Sequence, residues 1–304
     1  MNQYKYAVIV PVIYLTDYSR KAMRNIADKA GVYPHVQYII SCAEDLTEEL
    51  KSIFLENNNR SNIVIAPSKV VSSNHLRHHG VGYVESDYVY YQDCDDEVDY
   101  QIVLDHMIHC TGDNVVCFNI RRRQFDEEGN VIDDRTLYPQ TGFEVRRINQ
   151  LMTNIVNKLI PKKYLQVVSF YNIPFSQDLS LSFQLFEKGP HLYLSDSAYL
   201  YENNYKSTAG LKKTKRESLL RVVAVERILL KLLENKSNQA FVKYRYEVMI
   251  QGRFAYLKEC YCPAFSFRAI SPFRFGIRGL IGHLYHYIRS YVSCVYIKML
   301  TMKQ

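Results

Sequence analysis

No Asp or Glu occurs after Glu259, although Arg268, Arg274, Arg278, Arg289, Lys298 and Lys303 all lie there. The 304-residue chain carries +7, from 38 Lys and Arg against 31 Asp and Glu, and those six account for nearly all of it. The first 259 residues hold 32 basic and 31 acidic side chains, so the charge belongs to a tail. No window approaches 18 uncharged apolar residues, because Arg278, Arg289 and Lys298 interrupt even the apolar C-terminal stretch, which argues against a membrane-spanning helix. The N-terminal MNQYKYAVIVPVIYL has only a brief apolar run and no small-residue cleavage site, unlike a signal peptide. Seven scattered cysteines, an odd number with no paired C-x-x-C knuckle, read as reduced thiols of a cytosolic protein. Internal repeats and low-complexity linkers are also missing. With 47% hydrophobic residues, the chain has material for a buried core, which excludes disorder and a small disulfide scaffold.

What is present alternates. Tyr6 to Val12 (YAVIVPV) is a β-branched apolar run suited to a strand buried on both faces of a parallel sheet. Ser19 to Ala30 places Ala22, Ile26 and Ala30 at helical spacing, with Gly31 positioned to stop the helix. Val36 to Ser41 predicts a second strand, Leu46 to Leu55 a helix, Ile63 to Ala66 a third strand, Asn74 to Glu85 a helix, and Asp87 to Gln92 a fourth strand. This order predicts an α/β fold with a parallel sheet. Further on, the pattern predicts helices over Val98 to His109, Arg146 to Leu159, Asp178 to Glu187 and Lys215 to Glu234. A strand over Val115 to Arg121 leads toward a hairpin turn at Asp126 to Asn130, and short extended segments fall at His191 to Leu194 and Ala198 to Tyr201.

The fourth strand runs directly into Asp93-Cys94-Asp95-Asp96, so three carboxylates sit just past a strand's C-terminal end, where open α/β sheets bind ligands. Hard cations such as Mg²⁺ and Mn²⁺ take one or two protein carboxylates together with substrate phosphates. A solvated acidic turn capping the next helix would satisfy the same pattern.

The context of that turn resembles the family 2 glycosyltransferases. Leu76 to Asp96 (LRHHGVGYVESDYVYYQDCDD) is similar to a segment in which an A-R-N-x-G helix leads to a G-x-Y-I strand and D-S-D-D; Arg77 and Gly80 match, and His78 replaces the Asn. YAVIVPV resembles the family's opening strand, and Asn157-Lys158-Leu159 its N-K-L segment. Phe175-Ser176-Gln177-Asp178 is similar to F-x-E-D, and Tyr199 to Ser207 (YLYENNYKS) to Y-x-Y-R-x-x-x-x-S. Together these motifs span roughly Tyr6 to Ser207.

The resemblance implies a GT-A fold, a Rossmann-like, mixed but mostly parallel sheet flanked by helices, with a catalytic domain over 1–210 and a helical extension over 211–304. It also implies an inverting transfer from a nucleotide sugar, with Mn²⁺ or Mg²⁺ as cofactor. Asp178 would be the general base. Asp93 would face the ribose, and Asp95 the metal with Asp96 beside it. Pro11, Ser41, Asp45, Arg77 and Cys94 complete the implied donor-binding positions. A base at a helix N-terminus fits the chemistry, since the acceptor hydroxyl must lose a proton as it attacks; a plain N-cap is the competing role for Asp178. Two departures stand out. The family's V-D-D-G-S-x-D is replaced by Ile40-Ser41-Cys42-Ala43-Glu44-Asp45, which puts the usual uracil preference in question. Gln177 replaces the Glu before the base, and Glu202 stands where an Arg often approaches the donor phosphates.

His106, His109 and Cys110 share a helical face, but four zinc ligands at characteristic spacing are lacking, so they read as packed or surface residues. His75, His78 and His79 read as a helix face near the donor site. Arg121-Arg122-Arg123 is opposed by Asp126, Glu127, Glu128, Asp133 and Asp134, which disfavours nucleic acid as a partner. In the tail, Ile277, Leu280, Ile281, Leu284, Ile288, Val292, Val295 and Met299 recur at helical spacing, with basic residues opposite and four tyrosines between. This suits an amphipathic helix in a membrane interface, on the inner face of the cell membrane; a helix packed on the body, or a homodimer contact, is the alternative. The expected acceptor is a glycan or lipid-linked oligosaccharide of a surface polysaccharide. A nucleotidyltransferase would need a Gly- and Lys-rich phosphate loop after the first strand, which Pro11 to Leu15 does not offer. A catalytically silent binding protein is a third possibility, because the strand-two acids are missing.

Overall fold

The structure is a computed structural model and describes residues 3–55, 61–126, 128, 130–136, 154–170, 177–186 and 188–203. All of these belong to the first of two units, Met1–Lys213. The helices expected over Lys215 to Glu234 and in the tail lie outside the described residues, as does everything in the expected extension.

Strand β1 (Tyr6–Val12) is buried along its whole length, because it lies between two parallel neighbours with helices on the faces. Helix α1 (Asp17–Val32) follows, opened by a capping box in which the Thr16 hydroxyl accepts from the Ser19 N–H and the Ser19 hydroxyl accepts from the Thr16 N–H. Its stripe of Met23, Ile26, Ala27 and Ala30 faces the core. Gly31 does not stop the helix, which runs on to Val32 and closes through the Tyr33 N–H to the Lys29 carbonyl. Strand β2 (Val36–Ala43), a one-turn 3-10 helix (Glu44–Leu46), α2 (Thr47–Leu55), β3 (Ile63–Ser68), α3 (Ser73–Val81) and β4 (Tyr88–Tyr91) complete the βα half expected from the pattern.

The second half departs from simple alternation. After the short strand β5 (Glu97–Val98) come α4 (Tyr100–Asp105) and a 3-10 turn (His106–His109), so the single helix expected from Val98 is preceded by a strand and tightened at its end. Strand β6 (Val115–Phe125) forms a hairpin with β7 (Val131–Thr136) through a turn in which the Asp126 carboxylate accepts from the Glu128 and Asn130 N–H groups. Arg121 and Arg123 both pair with Asp134 across this hairpin, so their charge is locally neutralised. The helix expected to reach Leu159 is not there at its described end: Lys158–Pro161 is strand β8, antiparallel to both β4 and β6. Leu159 and Ile160 fill a slot in mid-sheet, and that tertiary burial overrides their helical spacing. The short helix α5 (Lys162–Leu165), α6 (Gln177–Phe186) and β9 (His191–Asn203) follow. The two short extended segments are one long strand, pairing in parallel with β6 and antiparallel with β5.

Among the described residues the sheet has nine strands in the order β3-β2-β1-β4-β8-β6-β9-β5, with β7 attached to β6. The mixed α/β architecture of the sequence reading is therefore present. Its consequence for function is geometric: the C-terminal ends of β1, β2 and β4 open toward the same edge, and the antiparallel β8 turns the second half of the chain back against them.

Candidate active site

Helix α3 brings the first functional side chain into place. Ser72 caps it by accepting from the His75 N–H at 3.2 Å. Gly80 lets it approach β1 closely, since a Cβ there would lie 2.7 Å from the Ile9 Cγ2. One turn earlier on the same helix, Arg77 points inward and is only 4% exposed.

A buried guanidinium needs partners. Arg77 Nη2 donates to the Asp93 carboxylate at 2.7 Å, and Nη1 donates to the Asp178 carboxylate at 2.6 Å. Three residues flagged by two separate motifs thus meet, one from α3, one from the turn after β4 and one from the first turn of α6. Burial opposes the charge of Arg77, but the facing carboxylates of Asp178 and Asp93 hold it firmly protonated. For Asp178, burial pushes the carboxyl up against the pull of Arg77. Its side chain keeps 29% of its surface exposed, so it is reachable from solvent.

The other acids of the turn have different surroundings. Asp96 is buried, with one oxygen accepting from the Tyr199 hydroxyl at 2.5 Å and the other from the Glu202 N–H at 3.0 Å. The same Tyr199 hydroxyl accepts from the Asp93 N–H at 3.3 Å. Burial, with Asp95 and Asp93 nearby, pushes the Asp96 carboxyl well above the usual carboxylate range. Asp96 therefore anchors the turn to β9. Asp95 is half-buried and makes no ion pair among the described residues; burial and the neighbouring Asp93 push it up to about 6. Cys94 between them has its thiol raised by burial and by the adjacent acids, so it is held as the neutral thiol.

The residues expected to contact the nucleoside are spread along the strand ends. Pro11 and Ser41 are register partners in β1 and β2, both buried, and the Ser41 hydroxyl has no hydrogen-bond partner among the described residues. Asp45 is exposed on the 3-10 turn just past β2. Glu202 receives Arg123 from β6 at 3.4 Å and the Tyr18 hydroxyl from α1, so the position where an arginine was expected is an acid already partnered by one.

Sequence reasoning missed Tyr199 and Lys158 as site residues, although both fell in segments with a family resemblance. Lys158 is fully buried beside Asn157 and close enough to Asp178 to act on its charge; burial lowers its own pKa to about 8. Its signal was a lysine within an apolar run, legible only once that run is known to be a strand.

Among the described residues no group of three or more His, Cys, Asp and Glu side chains forms a metal cage. The donor set fits a different kind of cation site. With Asp93 committed to Arg77 and Asp96 to β9, Asp95 presents one open carboxylate in a turn of concentrated negative charge, which suits a hard cation completing its shell with diphosphate oxygens and water.

No family model matches the sequence, and no curated protein matches it. Solved structures do. The chain is similar to residues 1–349 of TarS from S. aureus crystallised with UDP-GlcNAc, with a TM-score of 0.62 at 12% identity over 93% of this chain and 79% of that one. The same TarS fragment without a named ligand gives a TM-score of 0.59 at 14% identity, over 94% and 80% of the two chains. Its complex with UDP gives 0.57 at 12% identity, over 88% and 77%. The fold is GT-A-like.

Proposed function

We propose that this chain is an inverting glycosyltransferase that moves a sugar from a nucleotide donor, UDP-linked, to a glycan hydroxyl. The observation that carries the reading is the meeting of Asp178 with the acidic turn after β4 through Arg77. A donor-side carboxylate and an acceptor-side carboxylate face one another across a site on a GT-A-like fold, and the similar TarS structures hold UDP-GlcNAc and UDP.

The chemistry follows from that placement. The acceptor oxygen attacks the anomeric carbon on the face opposite the diphosphate, the new carbon–oxygen bond forms, and the bond to the phosphate oxygen breaks with its electron pair leaving on the diphosphate. Asp178 takes the acceptor proton. Its carboxyl, raised by burial and restrained by Arg77, is suited to accept a proton during the step and release it afterwards. Asp93 faces the ribose and Asp95 the cation, with Asp96 fixing the turn beneath them. Pro11, Ser41, Asp45 and Cys94 line the nucleoside side. A bound Mn²⁺ or Mg²⁺ supplies positive charge to the diphosphate oxygens.

The acceptor we assign is a lipid-linked oligosaccharide, in capsule or O-antigen assembly, and the acid-free basic tail would hold the chain at the inner membrane surface. No helix among the described residues is long and apolar enough to cross a membrane.

The test is a screen of nucleotide sugars for hydrolysis and transfer with and without Mn²⁺, with UDP calorimetry alongside. We expect metal-dependent UDP binding that Asp95→Ala abolishes, and an Asp178→Asn variant that binds UDP like wild type but transfers no sugar. Near-normal turnover by Asp178→Asn, or UDP binding indifferent to metal and to Asp95→Ala, would remove the basis for the assignment.

A further inference from the structure

Arg77 is held at both ends. Its backbone sits in α3, between a capped N-terminus and the glycine contact with Ile9, and its tip ends on two carboxylates that lie 16 and 101 positions away in the chain. The guanidinium does not satisfy all its donors: Nε is buried without a hydrogen-bond partner among the described residues. The hydroxyl of Tyr91, near enough to feel the charge of Arg77, also has no partner among the described residues. Buried polar atoms are almost always paired, so an arrangement that leaves one orphaned while spending both terminal nitrogens on carboxylates favours the two ion pairs over local satisfaction. A planar fork can bridge two carboxylates in a way that a lysine ammonium, a single point on a flexible stem, cannot.

We propose that Arg77 is a positioning residue that couples the two halves of the reaction, holding the acceptor-side Asp178 and the donor-side Asp93 at a fixed separation through one guanidinium. This rests on the glycosyltransferase reading of the site. Without the bridge, Asp93 and Asp178 are two half-buried carboxylates with no cation between them, and repulsion drives them apart. The donor turn then loses its tie to α3, and the base loses both its orientation and the charge that keeps it ionised. Arg77 engages only one oxygen of Asp178, so the clamp orients the base without occupying both of its acceptor atoms.

Among the described residues, the charged groups that act on Asp178 are Arg77 from α3, Asp93 from the turn after β4, and Lys158 from β8. Lys158 remains when Arg77 is replaced, so the effect of Arg77 is separable. The experiment uses the full chain and the variants Arg77→Lys and Arg77→Gln, checked for folding by circular dichroism. The Asp178 carboxyl is followed by carbon NMR of aspartate-labelled protein, identified by the signal lost in Asp178→Asn. Losing a neighbouring cation raises a carboxyl by about one to three pH units, so Arg77→Gln should titrate higher at Asp178 than wild type, while Arg77→Lys, which keeps the charge, should titrate close to wild type. In Arg77→Gln the acidic limb of the transfer rate should move upward with it, and in both variants kcat should fall about 100-fold and UDP affinity in Mn²⁺ should weaken. If Arg77→Gln fails to fold, Arg77→Lys carries the test, because it keeps the charge and loses only the fork.

A merely structural arginine would lower the melting temperature and leave the Asp178 titration of Arg77→Gln where it was; that result overturns the proposal. So does a normal kcat in folded Arg77→Lys. If wild type turns over no nucleotide sugar, the functional reading fails, while the Asp178 titration still decides whether the clamp exists.

Discussion

Replacing Tyr199 by Phe removes one oxygen and little else, yet that oxygen serves two parts of the acidic turn. It donates to Asp96 at 2.5 Å and accepts from the Asp93 N–H at 3.3 Å, and both Tyr199 and Asp96 are essentially inaccessible to water. In the variant, one Asp96 oxygen is left buried without a donor and the Asp93 N–H without its acceptor. An unsatisfied buried polar group costs about 1–3 kcal/mol, with groups bonded to a carboxylate toward the upper end. The weaker 3.3 Å contact adds less, so the expected loss is about 2–3 kcal/mol. For a folded unit of this size, Met1–Lys213, about 2–4 °C of melting temperature accompanies each kcal/mol. Tyr199→Phe should therefore melt roughly 5–10 °C below wild type. Because the same oxygen fixes the turn that carries Asp93 and Asp95, metal-dependent UDP affinity should drop as well, measured by calorimetry below the melting range. A melting temperature within a degree or two of wild type, together with unchanged UDP affinity, would show that Asp96 and its turn are held by something other than Tyr199.

The contact between α3 and β1 gives a second test: Gly80→Ala puts a methyl 2.7 Å from a fully buried, β-branched Ile9, and overpacking of this kind costs about 1–3 kcal/mol, visible as a lower denaturant midpoint; an unchanged midpoint would mean that α3 is free to lift. His191 provides a pH signature. Burial, with Lys158 close by, lowers its pKa from 6.5 to about 4, so between those values the unfolded chain takes up a proton that the folded chain refuses. Its contribution is complete above pH 6.5 and is lost as the pH falls toward 4, by at most about 3 kcal/mol. His191→Gln should flatten the acid side of the stability curve, and parallel curves for variant and wild type would refute it. Removing the residues after Ser271 should release the protein from anionic liposomes in a sedimentation assay; equal binding by the truncated chain would favour a tail packed on the body or on a second copy.

Lys158 shows where sequence reasoning reached its limit. Its segment has apolar neighbours at helical spacing, and a helix was the natural expectation; it became a strand because β4 and β6 leave a slot that only an extended, fully buried segment fills. The same fold-level fact brings Lys158 into the neighbourhood of Asp178. Asp96 is a parallel case. As one carboxylate in D-C-D-D it could as well reach a cation as cap a helix, and only the return of β9 beside the turn commits it to Tyr199 and to the Glu202 backbone.

What the sequence determined by itself was local or additive. The first four strands and their helices were legible because hydrophobic periodicity is written within ten or so residues of each position. The placement of three acids past the end of β4 followed from those strands, and the segregation of charge into the last 45 residues needed only counting. The tertiary structure alone decided which of those acids is open, which is a buried anchor and which is paired. An ion pair between residues 16 or 101 positions apart depends on how α3, the β4 turn and α6 pack against one sheet, and no local pattern encodes that distance.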